Sequence, residues 1–226
     1  MPDALQLILF DLDGTLVDTA PDLGGTVNRM REARGLTALS IESYRPSVSQ
    51  GAKGLLEFGL DLTPEQTAYE AAVEEFLVIY EAHICDHSQL FPGIANLLDW
   101  IEASSRQWGV VTNKRTRFTL PLMDALQLSQ RASCIVCADT TAAAKPSPLP
   151  MLYALDKAGC TAAQTIYIGD DERDVVAGKA AYMRTAAITY GYHSPESHPS
   201  SWGADLLFAS PTEITQYLQA LSAKGS

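Results

Sequence analysis

Six short segments of the chain are continuously apolar or β-branched: residues 5–10, 107–111, 134–138, 165–168, 185–189 and 205–209. Each is four to six residues long and is bounded by Gly, Asp or Thr, the pattern of strands buried on both faces. Stretches of helical period lie between the later segments. The last is the most regular, with Ile214, Tyr217, Leu218 and Leu221 spaced i, i+3, i+4, i+7. Ser210 is placed to cap that helix, Pro211 to occupy its first turn and Glu213 to close a capping box. Apolar strands alternating with helices predict an α/β fold, an open parallel (Rossmann-like) sheet with helices on both faces.

The first two strands are separated by about 95 residues, far more than one crossover needs. Most of that stretch has helical character. Thr63-Pro64-Glu65-Gln66 is expected to open a helix with Tyr69, Ala72, Val73, Phe76, Leu77 and Tyr80 on one face; residues 22–34 and 52–59 are weaker helical candidates. The expected organisation is an α/β core of residues 1–17 and 85–226, with an inserted all-helical cap of residues 18–84. Residues 191–203, rich in Ser, Pro and His, read as a long ordered loop.

Composition narrows the partners. Sixteen Lys and Arg against 27 Asp and Glu give a formal charge of −11. A field of that sign disfavours nucleic acid and anionic membrane surfaces, while leaving open a small anionic ligand held by local charges. Every apolar run stops well short of the roughly 20 residues of a membrane span. The start, Met1-Pro2-Asp3-Ala4, lacks a basic n-region, and four cysteines do not make a disulfide framework, so a cytoplasmic location is expected. Monomer and homodimer both remain open.

The chemistry follows the strands. Asp11-Leu12-Asp13-Gly14-Thr15 comes after the first, Thr112-Asn113-Lys114 after the second, Lys145-Pro146 in the loop after the third, and Gly169-Asp170-Asp171-Glu172-Arg173-Asp174 after the fourth. Ligands of open parallel sheets bind beyond the carboxyl ends of the strands, so four separate segments are expected to converge on one crevice. Phosphoryl transfer matches such a set. A dianionic ester needs cationic neutralisation, which hard carboxylate oxygens holding Mg²⁺ and an ammonium from Lys145 supply. One aspartate acts as nucleophile, and a second carboxyl two residues on protonates the leaving oxygen. The Thr112 hydroxyl and nearby N–H groups hold phosphoryl oxygens.

These four motifs, in this order, resemble the haloacid dehalogenase superfamily of aspartyl-phosphate hydrolases over essentially the whole chain. The resemblance implies Asp11 as nucleophile, Asp13 as general acid/base, and Thr112 and Lys145 as phosphoryl stabilisers. It also implies Asp11, the main-chain oxygen of Asp13 and Asp170 as Mg²⁺ ligands, with Asp174 orienting that shell, and the helical insertion as a small mobile cap. Gly14, Thr15, Asn113 and Lys114 are expected at the substrate, joined from the cap segment 47–54 by Gln50 and Lys53. Within the superfamily the chain is similar to the phosphoglycolate phosphatase group. Val110-Val111-Thr112-Asn113-Lys114, Gly169-Asp170-Asp171-x-Arg173-Asp174 and the tail from Gly191 to Asp205 point to the members acting on N-acetylmuramic acid 6-phosphate. The expected partner is a small phosphorylated metabolite, that sugar acid or 2-phosphoglycolate. A sugar phosphomutase of the same superfamily and a phospho-aspartate signalling module are the alternatives.

Other features take plainer readings. Asp11-x-Asp13-Gly14 departs from an EF-hand loop, which needs its glycine at the sixth position. Cys134 and Cys137 read as small buried hydrophobes, and His83 and His87 as a polar helix end near the cap hinge. Tyr190, Tyr192, His193 and Trp202 either line the crevice mouth or pack on the core.

Overall fold

The computed structural model describes residues 5–193 and 197–224 of the chain. Six parallel strands form the sheet: β1 (Leu7–Phe10), β4 (Gln107–Val111), β5 (Ile135–Val136), β6 (Thr165–Gly169), β7 (Arg184–Ile188) and β8 (Leu206–Phe208), in the order β5-β4-β1-β6-β7-β8. Phe10 of β1 pairs with Val110 on one side and Ile168 on the other, so the ends of the three central strands are level. Each of the six apolar segments therefore forms a strand, although 134–138 contributes only Ile135–Val136.

Alternation along β1 divides the core between two layers. Ile8 and Phe10 join Leu97, Leu98 and Ile101 of α5 (Ile94–Ala103), Leu122 of α6 (Thr116–Ala125), and Ile214 and Leu218 of α9 (Pro211–Lys224). Leu7 and Leu9 face the other way, with Met151 and Ala154 of α7 (Leu149–Ala158) and Ala177 of α8 (Glu172–Ala180). A strand with period two buries both sets of side chains only between two helical layers, which is why it reads as continuously apolar. Cys134 and Cys137 are buried, free thiols.

Between β1 and α5 stand four helices that pack on one another: α1 (Ala20–Ala33), α2 (Ile41–Val48), α3 (Gly51–Leu60) and α4 (Tyr69–Ala82). The chain enters and leaves this group through a two-stranded antiparallel ribbon, β2 (Val17–Asp18) and β3 (Gln89–Leu90). Two expectations need correction. Helix α4 begins at Tyr69, because Thr63-Pro64-Glu65-Gln66 closes on itself as a turn: Gln66 N–H donates to the Thr63 carbonyl (3.0 Å), and Thr63 N–H donates to the Gln66 side chain (2.9 Å). The apolar face from Tyr69 to Tyr80 is nonetheless the buried one, with Tyr69, Ala72, Phe76 and Tyr80 inside. Helix α2 carries Pro46 in its interior and so hides from a periodicity reading. At α9, Glu213 N–H donates to Ser210 Oγ (3.3 Å), while the Glu213 carboxylate accepts from Ala209 N–H (2.7 Å), one residue before the cap.

Candidate active site

Helix α8 begins where β6 ends, and its capping organises the acidic centre. Asp171 caps the helix by accepting the Arg173 N–H (2.9 Å), and Asp174 Oδ2 returns the exchange by accepting the Asp171 N–H (3.1 Å). That box leaves Asp174 Oδ1 facing β4 and β1. There it accepts from Lys145 Nζ at 2.7 Å and lies 2.9 Å from the Tyr167 hydroxyl. Lys145 is buried, and its ammonium also meets Asp11 Oδ1 (2.9 Å) and the Val111 carbonyl (3.0 Å). The lysine from the loop after β5 thus ties the end of β1 to the start of α8. Its own backbone is held by the Asn113 side-chain amide, which donates to the Lys145 carbonyl and accepts its N–H, both at 3.0 Å.

Carboxylate oxygens of Asp11, Asp170 and Asp174 lie within 4.8 Å of one another. Asp170 is buried and has no ion pair among the described residues; Thr15 Oγ1 donates to its Oδ1 and Tyr192 N–H to its Oδ2, both at 2.7 Å. Burial, then the neighbouring Asp11 and Asp174 charges, hold the Asp170 carboxyl well above the usual carboxylate range. Burial likewise pushes Asp11 up, to about 7, against the pull of Lys145 and with Asp174 adding to the rise. Three converging hard oxygens with one ammonium among them are under-neutralised. The donor set, all carboxylate and close enough to share one ion, fits a divalent oxygen-seeking cation such as Mg²⁺.

The cluster forms one end of a cavity of about 520 Å³. Asp11, Asp13, Thr112, Asn113, Lys114, Lys145, Asp170 and Asp174 all line it. Both contacts to the Asp11 side chain, from Leu12 N–H (2.7 Å) and Lys145, fall on Oδ1, and Oδ2 has no partner among the described residues. Asp13 repeats the pattern: Thr19 Oγ1 (2.7 Å) and Lys114 Nζ (2.9 Å) both donate to its Oδ1. Burial would depress the Lys114 ammonium, but Asp13 and then Tyr80, whose ring centroid lies 4.7 Å away, hold it above its ordinary value. The lining also has an apolar part, built from Leu23 of α1, Val73, Phe76, Leu77 and Tyr80 of α4, and Phe118 of α6.

Three residues expected at the substrate stand elsewhere. Thr15 is fully buried behind Asp170, to which its hydroxyl is committed. Gly14 backs the same carboxylate at φ +85°, and a Cβ there would be driven into Asp170. Its place is therefore explained by close approach and not by ligand contact. Lys53 is exposed on α3 and off the cavity wall, with Glu65 as an electrostatic neighbour, because a long charged chain on the flank of a short helix extends to solvent. Gln50 does line the cavity, in the turn between α2 and α3.

Sequence reasoning assigned no site role to Tyr80, Arg115 or Arg173, of which only Arg173 had a signal, its place inside the acidic motif; Tyr192 was expected either at the crevice mouth or on the core. Tyr192 is buried and off the cavity: its hydroxyl donates to Asp18 Oδ1 (2.5 Å) and accepts from Ala20 N–H (2.9 Å), while its backbone N–H holds Asp170. Tyr190 and Trp202 are likewise off the wall, so these loop aromatics pack on the core. His83 ends α4 half-exposed beside Asp86 (2.6 Å), and the His87 N–H donates to Asp22 of α1. Residues 194–196 of the loop lie outside the described residues.

Residues 8–188 match the model of the haloacid dehalogenase-like hydrolases. The chain is 39% identical over 216 residues to the N-acetylmuramic acid 6-phosphate phosphatase of Pseudomonas putida, covering 96% of this chain and 97% of that one. It is 41% identical over 209 residues to the phosphoglycolate phosphatase of Xanthomonas campestris pv. campestris, covering 92% and 94%. A crystal structure of a predicted phosphoglycolate phosphatase from Haemophilus somnus 129pt superposes with a TM-score of 0.82 at 26% identity, over 94% and 97% of the two chains. Fold, motif order and these likenesses agree, and the chain belongs to the haloacid dehalogenase-like hydrolase family, as an enzyme of its phosphatase branch.

Proposed function

We propose that this enzyme hydrolyses a phosphorylated sugar acid, N-acetylmuramic acid 6-phosphate in preference to 2-phosphoglycolate, through an aspartyl-phosphate intermediate, with residues 18–84 acting as a cap over a core of residues 1–17 and 85–226. The observation that carries the reading is the convergence of Asp11, Asp170 and Asp174 with Lys145 at one end of the cavity. Asp11 Oδ2, free of hydrogen bonds among the described residues, attacks phosphorus and forms the acyl phosphate. Asp13 Oδ2 has no partner among the described residues; it protonates the leaving alkoxide and then takes the proton of the attacking water. Lys145 offsets charge on the transferring group, and Thr112 lies on the wall beside it. Mg²⁺, held by Asp11, the Asp13 main-chain oxygen and Asp170 with Asp174 orienting that shell, would supply the positive charge that lets a carboxylate approach a dianion. Among the described residues five carboxylates (Asp11, Asp13, Asp170, Asp171, Asp174) and four cations (Lys114, Arg115, Lys145, Arg173) face the cavity, a formal excess of one negative charge that a divalent ion would reverse.

Size and polarity favour the sugar. A cavity of about 520 Å³ with an apolar wall of Val73, Phe76, Leu77 and Tyr80 has far more room than a two-carbon acid fills. An N-acetyl methyl and a lactyl methyl offer such a wall something to cover. Phosphate release with Mg²⁺ across N-acetylmuramic acid 6-phosphate, 2-phosphoglycolate and hexose phosphates tests this. The sugar acid should show the highest kcat/KM, and Asp11→Asn should retain less than about a hundredth of the rate on every ester. Activity of that variant above this level rejects the nucleophile; a requirement for a sugar bisphosphate, with transfer instead of release, rejects hydrolysis.

A further inference from the structure

The two substrates named for the relatives share a feature besides the phosphate ester: each carries a carboxylate. We infer that Arg173 is the specificity-determining residue that reads this second acid group, an inference that rests on the phosphatase reading above.

Four cations face the cavity, and three are poorly placed for the task. Lys145 is buried within the acidic cluster. Lys114 is committed to Asp13 and to the Tyr80 ring, with 7% of its side chain exposed. Arg115 is exposed and makes no side-chain hydrogen bond or ion pair to a described residue, with Asp139 only as an electrostatic neighbour, so it is not fixed before a ligand arrives.

Arg173 differs on each count. Its Nε donates to Asp171 Oδ1 and its Nη2 to Asp171 Oδ2, both at 2.8 Å, a planar fork that fixes the guanidinium. Nη2 also donates to the Ser49 carbonyl at 2.6 Å, on the turn between α2 and α3. Nη1 donates to no described residue, and 41% of the side chain is exposed. A guanidinium offers acids two edges; Asp171 takes one, and the Nη1 side of the other stays open on the cavity wall. Donors held in place before binding lose little freedom when the ligand arrives, which is what discrimination between similar esters requires. The hook on Ser49 adds that the same residue sets the position of the turn that carries Gln50.

A matched pair of esters isolates the role, because N-acetylglucosamine 6-phosphate lacks only the lactyl acid of N-acetylmuramic acid 6-phosphate. The wild type should favour the acid-bearing ester at least tenfold in kcat/KM. Arg173→Gln should raise KM for that ester tenfold or more and lower its kcat/KM at least tenfold further than that of the neutral one, so that the preference collapses. Arg173→Lys, with charge but no fork, should recover part of it. An equal fall on both esters assigns Arg173 to holding the α2–α3 turn alone and overturns the inference, as does an unchanged preference. Circular dichroism and gel filtration establish that the variants fold; if Arg173→Gln does not, Arg173→Lys carries the comparison. If the wild type prefers 2-phosphoglycolate, the substrate assignment falls separately, and the same variants are read on 2-phosphoglycolate against ethyl phosphate. Phosphate release from none of these esters defeats both readings.

Discussion

Asp11 and Asp13 sit two residues apart on one short loop, yet their surroundings differ in a way that suits the separate roles proposed for them. Asp11 shares its ammonium with Asp174, whereas Asp13 has Lys114 and the Thr19 hydroxyl to itself. General acid–base work contributes roughly 10²–10⁴ in rate, so Asp13→Asn should lower kcat by that range. Stopped-flow measurement with a good leaving group, such as p-nitrophenyl phosphate, locates the loss. Since that leaving group needs little protonation, formation of the acyl phosphate should be nearly unaffected and its hydrolysis slowed. A variant slowed equally in both steps with this ester contradicts the role.

At the scale of elements, the contacts that span core and helices are few and specific. Asp18 at the end of β2 takes a bidentate pair from Arg45 of α2 (2.9 and 2.8 Å) and the Tyr192 hydroxyl on the same carboxylate. The Arg45 guanidinium lies 5.6 Å from the centroid of the Tyr192 ring. Asp22 in the first turn of α1 accepts the N–H groups of His87 and Ser88 at the return to β3. Tyr192 therefore joins the entry strand, α2 and, through its backbone, Asp170. Tyr192→Phe removes one hydroxyl, leaving the buried Ala20 N–H without its acceptor, at a cost of about 1–3 kcal/mol. For a chain of this size that lowers Tm by roughly 2–12 °C, measurable by calorimetry. An unshifted Tm shows that water replaces the hydroxyl there.

For the molecule as a whole, the buried acidic cluster is a concentrated stability cost, one that the proposed cation would relieve. Asp11 titrates near 7 when folded, against 3.8 for the free group, so the folded state holds a proton that the unfolded chain has lost between those values. Without a divalent ion, this group's contribution to stability is present below about pH 4 and is lost as pH rises towards 7. On the proposed function Mg²⁺ would compete with that proton, so it should raise Tm more at pH 8 than at pH 5. At a hundredfold excess over Kd the gain is about 2.7 kcal/mol, or roughly 5–10 °C. Equal shifts at both pH values, or none, count against cation binding at Asp11 and Asp170. Among the described residues no helix is long and apolar enough to cross a membrane.

Much of the fold is legible in the chain because it is written locally. A strand buried on both faces must be continuously apolar, as residues 7–10 and 165–169 are, and carboxylates after such strands must emerge at one edge of a parallel sheet. Less regular elements were hidden for local reasons too: Pro46 interrupts the period of α2, and Thr63-Pro64 looks like a helix start while forming a turn. The relations between distant residues belong to tertiary structure alone. No spacing shows that Tyr192 reaches both Asp170 and Asp18, that Thr15 is spent on Asp170, that Lys53 points away, or that Arg173 joins Asp171 to Ser49. Periodicity encodes which side of an element is buried, because water and the core act on each residue separately. Which polar groups then meet is set by the packing of elements far apart in the chain, and that packing decides how the acidic centre is held and what the cavity beside it admits.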